Sequence, residues 1–196
     1  YCRDEDHQTH TKKSQVLTFE EIAKIVRLFA ELGVTKVRLT GGEPLLRKDI
    51  LDLTKMLGQI PGLNDIPLST NAHLLPNIAS KLKNNGINRV NISIDSLIPE
   101  RFKEITRDGD LDTVIRGIDA AIAAGMKPIK LNMVVMKGVN DDEIDSMIEF
   151  AINRGIDLRF IETMPIGLAG IEAVDKHLSE KDILHRVKAN FGNRLT

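Results

Sequence analysis

At 196 residues with 42% hydrophobic content, the chain is long enough for one domain with a substantial core. Its 27 basic and 28 acidic residues leave a formal charge of -1, which gives no global pull toward nucleic acid or a membrane surface. No apolar run approaches the length of a membrane span; the single cysteine, Cys2, rules out an internal disulfide and suits a reducing, cytoplasmic setting; and one Tyr with no Trp removes an aromatic nucleic-acid platform.

Residues 3–16 are polar throughout and read as a loop. Thr18-x-x-Glu21 predicts a capping box opening a helix with Ile22, Ile25, Val26 and Phe29 on its apolar stripe, closed by Gly33. The β-branched, alternating run from Val34 to Leu39 predicts a strand that ends at Gly41-Gly42. Two adjacent glycines let backbone groups approach a ligand with no Cβ in the way, and Pro44 holds Glu43 extended with its carboxylate projecting from the loop. The next helix starts near Asp49 and carries Ile50, Leu53 and Leu57; another runs from about Pro76 to Asn85 and stops at Gly86. Leu111, Val114, Ile115, Ile118 and Ile122 form the stripe of a further helix ending at Gly125. Asn140-Asp141 are read as the cap of a helix with Ile144, Met147, Ile148 and Ala151, and a last helix begins near Ser179 with Ile183, Leu184 and Val187.

The strands between these helices repeat. Each follows a glycine (Gly33, Gly62, Gly86, Gly125, Gly155), and seven residues past each stands a polar residue: Thr40, Ser69, Ser93, Asn132 and Glu162. Alternating strands and helices imply βαβ units and a parallel sheet, and in such folds ligands sit outside the carboxyl ends of the strands. The five polar positions are therefore expected to ring one site, although turns also favour small polar residues. Stepping back by two from the ring meets Arg38 and Lys36 behind Thr40, Asn91 behind Ser93 and Lys130 behind Asn132. A packed barrel core would not tolerate this row, because buried unpaired charge is costly. A wider or incomplete barrel with a wet interior would, and Lys36, Arg38 and Lys130 would then suit a polyanion such as a polyphosphate. The other reading, that each cation pairs with a buried carboxylate such as Glu162 or Asp95, stays open. Arg159 falls on the other face by the same count.

Tyr1-Cys2, Thr40-Gly41-Gly42-Glu43-Pro44, Ser69-Thr70-Asn71 and Val90 through Ser96 resemble the radical S-adenosylmethionine enzymes, and within them the molybdenum cofactor biosynthesis protein A family, the GTP 3′,8-cyclases. Lys130-Leu131-Asn132, Lys137 through Asp141 and Arg159 through Met164 extend the resemblance in the same order. It implies an α/β fold, a partial (β/α)6 open barrel of parallel strands, of which five are countable and the first is missing. It implies a [4Fe–4S] cluster on a C-x3-C-x2-C motif whose third ligand is Cys2, with an open iron position for S-adenosylmethionine. Tyr1, Gly41, Gly42, Glu43, Ser93 and Met164 would contact S-adenosylmethionine. Arg38, Ser69 and Lys130 would bind GTP, assisted by Lys36. The implied reaction is hydrogen abstraction from ribose C3′ by the 5′-deoxyadenosyl radical, followed by attack on guanine C8 to give 3′,8-cyclo-7,8-dihydro-GTP. The implied partners are an electron donor for the cluster and the downstream cyclic pyranopterin monophosphate synthase, with a homodimer allowed, and with neither nucleic acid nor membrane.

The sequence departs from the family pattern at both ends. The chain opens inside the cysteine motif, and the family's C-terminal part, with three further cysteines for a second cluster, is absent after Thr196. The whole chain is expected to be one truncated radical S-adenosylmethionine core, inactive by itself. Two rivals stand beside the cyclase: a radical enzyme of the same superfamily with a different anionic substrate, and a cluster-free nucleotide-binding remnant. Cys2, His7 and His10 form a weak zinc set lacking a fourth ligand. His73, His177 and His185 are scattered, and Met56, Met126, Met133, Met136 and Met147 read as core filler.

Overall fold

The computed structural model describes residues 16–164 and 174–192. Its helices are α1 (Phe19–Glu31), α2 (Ile50–Gly58), α3 (Leu75–Asn84), α4 (Pro99–Thr106), α5 (Leu111–Ala123), α6 (Ile144–Arg154) and α7 (Glu180–Phe191). The strands β1 (Leu68–Thr70), β2 (Val90–Ser93), β3 (Ile129–Val135) and β4 (Asp157–Glu162) follow one another in sheet order β1-β2-β3-β4. β1 and β2 are parallel, with Leu68 beside Val90 and Ser69 beside Asn91. Sequential order is what βαβ crossovers of one hand produce.

The described residues divide into two compact units: 16–93 with Asp112–Lys130, and Ile94–Leu111 with 131–164 and 174–192. In the first, Leu53, Leu57, Leu68, Leu75, Leu82, Ile87, Val90, Ile92, Val114 and Ile118 form the core. Gly117 is required there, because a Cβ on it would come 2.3 Å from the Ala72 carbonyl oxygen. In the second, Leu131, Met133, Val135, Ile144, Met147, Ile183 and Val187 are buried. At about 0.8 kcal/mol per buried CH2, each Leu or Ile of these cores contributes roughly 2 kcal/mol.

Several sequence expectations are corrected here. Val34 to Leu39 is not a continuous strand; it makes isolated parallel bridges, Lys36 with Asp65 and Leu39 with Leu68. The capping box on α1 forms as expected, but the buried line is Ala23 and Val26, while Ile25 and Phe29 are 41% and 52% exposed. Helical periodicity finds an apolar face; the neighbouring element decides how much of it is covered. Asn140 does not cap α6, because residues 141–143 form a 3-10 turn first and the Asn140 side chain is bonded elsewhere. Helix α4 is not foreseen from the sequence: it is started by Pro99 and its one buried residue is Phe102, so it carries no apolar stripe. Asn132 stands in the middle of β3 rather than at its end.

Candidate functional site

The glycine loop is built on the end of the bridged segment. Gly41 has φ +145°, a conformation that favours glycine, and none of the described residues lies within 4 Å of a Cβ placed on Gly41 or Gly42. The backbone of this turn is thus open on the side where side chains would stand. Glu43 does not project freely. Its Oε1 accepts the Thr70 hydroxyl at 2.8 Å and the Leu45 N–H at 3.0 Å, and its Oε2 accepts the Asn71 N–H at 2.6 Å. Thr70 Oγ1 in turn accepts the Ala72 N–H at 3.1 Å. The carboxylate therefore ties the glycine rim to the end of β1, and Thr70 and Asn71 join the site residues on that ground.

Alternation places the cations. β1 is buried at Leu68 and Thr70 and half-buried at Ser69, while Lys36, Arg38 and Thr40 are exposed with Val37 and Leu39 turned the other way. Ser69 pairs in register with Asn91. The bond from Val90 N–H to the Pro128 carbonyl, 3.3 Å, carries the same row on to Lys130. Arg38, Ser69, Asn91 and Lys130 accordingly share one polar face of the first unit, and Arg38 Nη1 donates to Ser69 Oγ at 3.2 Å. Lys36 lies on that face farther from the strand ends. Its partner is Asp65 at 3.8 Å, not Glu162 or Asp95, and Arg89 Nη2 meets the same Asp65 oxygen at 2.5 Å. Asp65 and Arg89 were missed by the sequence reading, yet the same two-residue count, taken one step past Asn91 and two past Ser69, arrives at both.

Ser93 ends β2 and is exposed. On β3, Lys130, Asn132 and Val134 are half-buried and alternate with buried Leu131 and Met133, and Asn132 Oδ1 is buried with no hydrogen-bond partner among the described residues. In the second unit Met164 is 66% exposed and lines an apolar recess of about 950 Å3 with Ile148, Ile152, Phe160 and Leu184. Glu162, exposed at the end of β4, accepts the Glu180 N–H at the start of α7 on its Oε1, a favourable place for a carboxylate. Tyr1, Cys2, His7 and His10 lie outside the described residues.

Two motifs singled out by sequence form a buried latch in the second unit. Glu143, 4% exposed, accepts the Ser96 hydroxyl at 2.7 Å, the Leu97 N–H at 2.6 Å and Arg101 Nη1 at 2.6 Å. Asn140 Nδ2 donates to the carbonyls of Asp95 and Val134, and Asp95 Oδ1 accepts the Val134 N–H at 2.7 Å. The hydrogen bond to Asp142 and then the one to Glu143 hold the Arg101 guanidinium above its ordinary pKa. These residues shape the strand ends and are consumed by their own hydrogen bonds.

The model of the radical SAM superfamily matches residues 1–151. A GTP 3′,8-cyclase of Hydrogenovibrio crunogenus is 50% identical over 196 residues, covering 100% of this chain and 59% of that protein. One from Alkaliphilus metalliredigens is 47% identical over 188 residues, 96% of this chain and again 59% of that protein. The chain thus spans 59% of the length of these curated relatives. Among solved structures, a methylornithine synthase superposes with TM-score 0.65 at 20% identity, covering 91% of this chain and 54% of that one. Coproporphyrinogen III oxidase from Escherichia coli gives 0.65 at 15%, covering 89% and 45%. These two likenesses establish the fold alone. With its family model spanning most of its length, this chain belongs to the radical SAM superfamily.

Proposed function

We propose that this chain is the core of a GTP 3′,8-cyclase, converting GTP to 3′,8-cyclo-7,8-dihydro-GTP in the first step of molybdenum cofactor biosynthesis. The observation that carries the reading is the polar face on which Arg38, Ser69 and Lys130 stand together, one to three residues below the glycine rim. A triphosphate needs several fixed donors and cations, and a planar guanidinium already aimed at a hydroxyl supplies both. The names of the relatives, GTP 3′,8-cyclase at 47% and 50% identity, support the same substrate.

The residues present fit S-adenosylmethionine as well. The open backbone of Gly41 and Gly42 suits its amino-acid end, and Glu43 holds that rim in place. Tyr1, Ser93 and Met164 complete the proposed contacts, and Cys2 is the proposed cluster ligand. When bound, the cluster and S-adenosylmethionine supply the radical that initiates cyclisation. The chain's own part is to fix the triphosphate through Arg38, Lys130 and Lys36, so that the ribose is presented in one orientation. An electron donor and a downstream cyclic pyranopterin monophosphate synthase are the partners this reading requires.

The test is direct. The protein carrying this chain, purified anaerobically with its cluster restored, is incubated with GTP, S-adenosylmethionine and dithionite. Mass-resolved formation of the cyclised nucleotide is expected. Release of 5′-deoxyadenosine with GTP untouched would reassign the enzyme to another anionic substrate; GTP binding that ignores iron and sulfide would make it a cluster-free remnant.

A further inference from the structure

Asp65 is the point where the polar face is balanced. Its Oδ2 carries two cations, Arg89 Nη2 at 2.5 Å and Lys36 Nζ at 3.8 Å, and the side chains of Arg89 and Asp65 are only 25% and 32% exposed. Lys36 is looser, with 51% of its side chain exposed. Partly buried charges at this range are poorly screened, so the closer cation dominates the carboxylate. One unit of negative charge is met by two of positive, which leaves the trio with a net positive charge. Arg89 is held in place by the ladder as well: its carbonyl accepts the Leu68 N–H at 3.1 Å, and it precedes Val90, which pairs with Leu68. Its Nε is buried without a hydrogen-bond partner among the described residues, so the guanidinium is committed to Asp65 through its Nη end at the expense of Nε.

We propose that Arg89 is a positioning residue for the polyphosphate: by occupying Asp65 it releases Lys36 toward the anion. This deepens the cyclase reading and rests on it. Without Arg89, Asp65 would have Lys36 as its nearest cation on this face among the described residues, and the lysine would close on it. An incoming triphosphate would then have to break that pair before using Lys36. The charge count makes the idea specific. R89M takes the trio from net positive to neutral, D65N adds a positive charge, and R89M/D65N restores the original net charge with Lys36 unencumbered.

The experiment measures GTP and inorganic triphosphate binding to the full protein with its cluster present, together with KM for each substrate and thermal stability. R89M is expected to weaken both anions about tenfold, the equivalent of roughly 1.4 kcal/mol, raising KM for GTP while leaving KM for S-adenosylmethionine and uncoupled 5′-deoxyadenosine release in place. D65N is expected to bind GTP as tightly as the parent or more tightly. R89M/D65N is expected to return within about threefold of the parent, by the same conversion. A purely architectural Arg89 would lower stability in R89M and in the double variant alike, with no recovery of affinity, and that pattern overturns the proposal. Should R89M fail to fold, weaker GTP binding by D65N overturns it equally. A parent protein with no saturable GTP binding removes the cyclase reading and this proposal together; a parent that binds GTP with R89M unchanged removes this proposal only.

Discussion

The Glu43 carboxylate receives the Thr70 hydroxyl at 2.8 Å, which joins the glycine rim to the last residue of β1. Thr70 is 5% exposed, so the bond is made largely out of water, and a charged acceptor strengthens it. Thr70→Val keeps the shape and removes the donor. It also strips Ala72 N–H of its acceptor. A loss of about 1–3 kcal/mol in unfolding stability is expected, together with weaker S-adenosylmethionine binding, since the open backbone of Gly41 and Gly42 would no longer be held. Equilibrium urea unfolding and calorimetric titration check both parts; unaltered S-adenosylmethionine affinity in a destabilised variant would detach the rim from the ligand.

Glu143 and Arg101 make a second anchor. Glu143 is buried with three donors, and removing one partner of a buried pair leaves an uncompensated charge. Arg101→Met is expected to cost about 3 kcal/mol, near the low end for such pairs because Arg101 itself is part exposed. Glu143→Gln removes the charge while keeping most of the hydrogen bonds, so it should be milder in the Arg101→Met background than alone. A double-mutant cycle in urea reads the coupling directly, and strict additivity would show that the two side chains act independently.

At the start of α7 the expectation concerns pH. Ser179 donates its hydroxyl to Asp182 at 2.6 Å and accepts the Asp182 N–H at 3.3 Å, and these bonds, the side-chain one first, lower the Asp182 pKa below its ordinary value of 3.8. A carboxyl with a depressed folded pKa contributes stability above its unfolded value and loses it as pH falls through the folded one. Ser179→Ala removes the N-cap, which by itself costs about 1 kcal/mol, and the gap from the parent should narrow as pH falls below the ordinary carboxylate value. Urea midpoints across that range decide it; a gap that stays constant into strong acid leaves Asp182 out of the cap.

What was readable in the sequence, and what was not, follows from how local each signal is. Alternation is local, so the shared face of Arg38, Ser69 and Lys130 can be counted along the chain, as can the capping box of Thr18 and Glu21. Partnership is not local. Glu43 finds Thr70 and Asn71 across 27 and 28 residues, Asp95 finds Val134 across 39, and Ser96 finds Glu143 across 47. No count along the chain yields those distances. Glu162 shows the same limit: its position at the end of β4 was legible, but its bond to the Glu180 N–H at the start of α7, 18 residues on, was not. The exposed Ile25 and Phe29 show the same limit for packing.

The remaining prediction addresses the polar face itself. Arg38 is exposed, reaches Ser69 at 3.2 Å and has no carboxylate within ion-pair distance among the pairs described, so its charge is available to an anion. Arg38→Ala removes a charge-assisted contact worth about 1.5–3 kcal/mol, which corresponds to roughly 10- to 100-fold weaker GTP binding. Because Arg38 is exposed, stability should change by less than about 0.5 kcal/mol. Lys130→Ala should weaken GTP to a similar degree. In both variants, 5′-deoxyadenosine release without GTP should persist, since neither side chain belongs to the glycine rim. Arg38→Lys separates charge from geometry: a point charge replaces the planar fork, so partial recovery is expected rather than full. Parent-like GTP affinity in both alanine variants would show that these cations serve the sheet and not a nucleotide, and the anion site would then have to be sought away from this face.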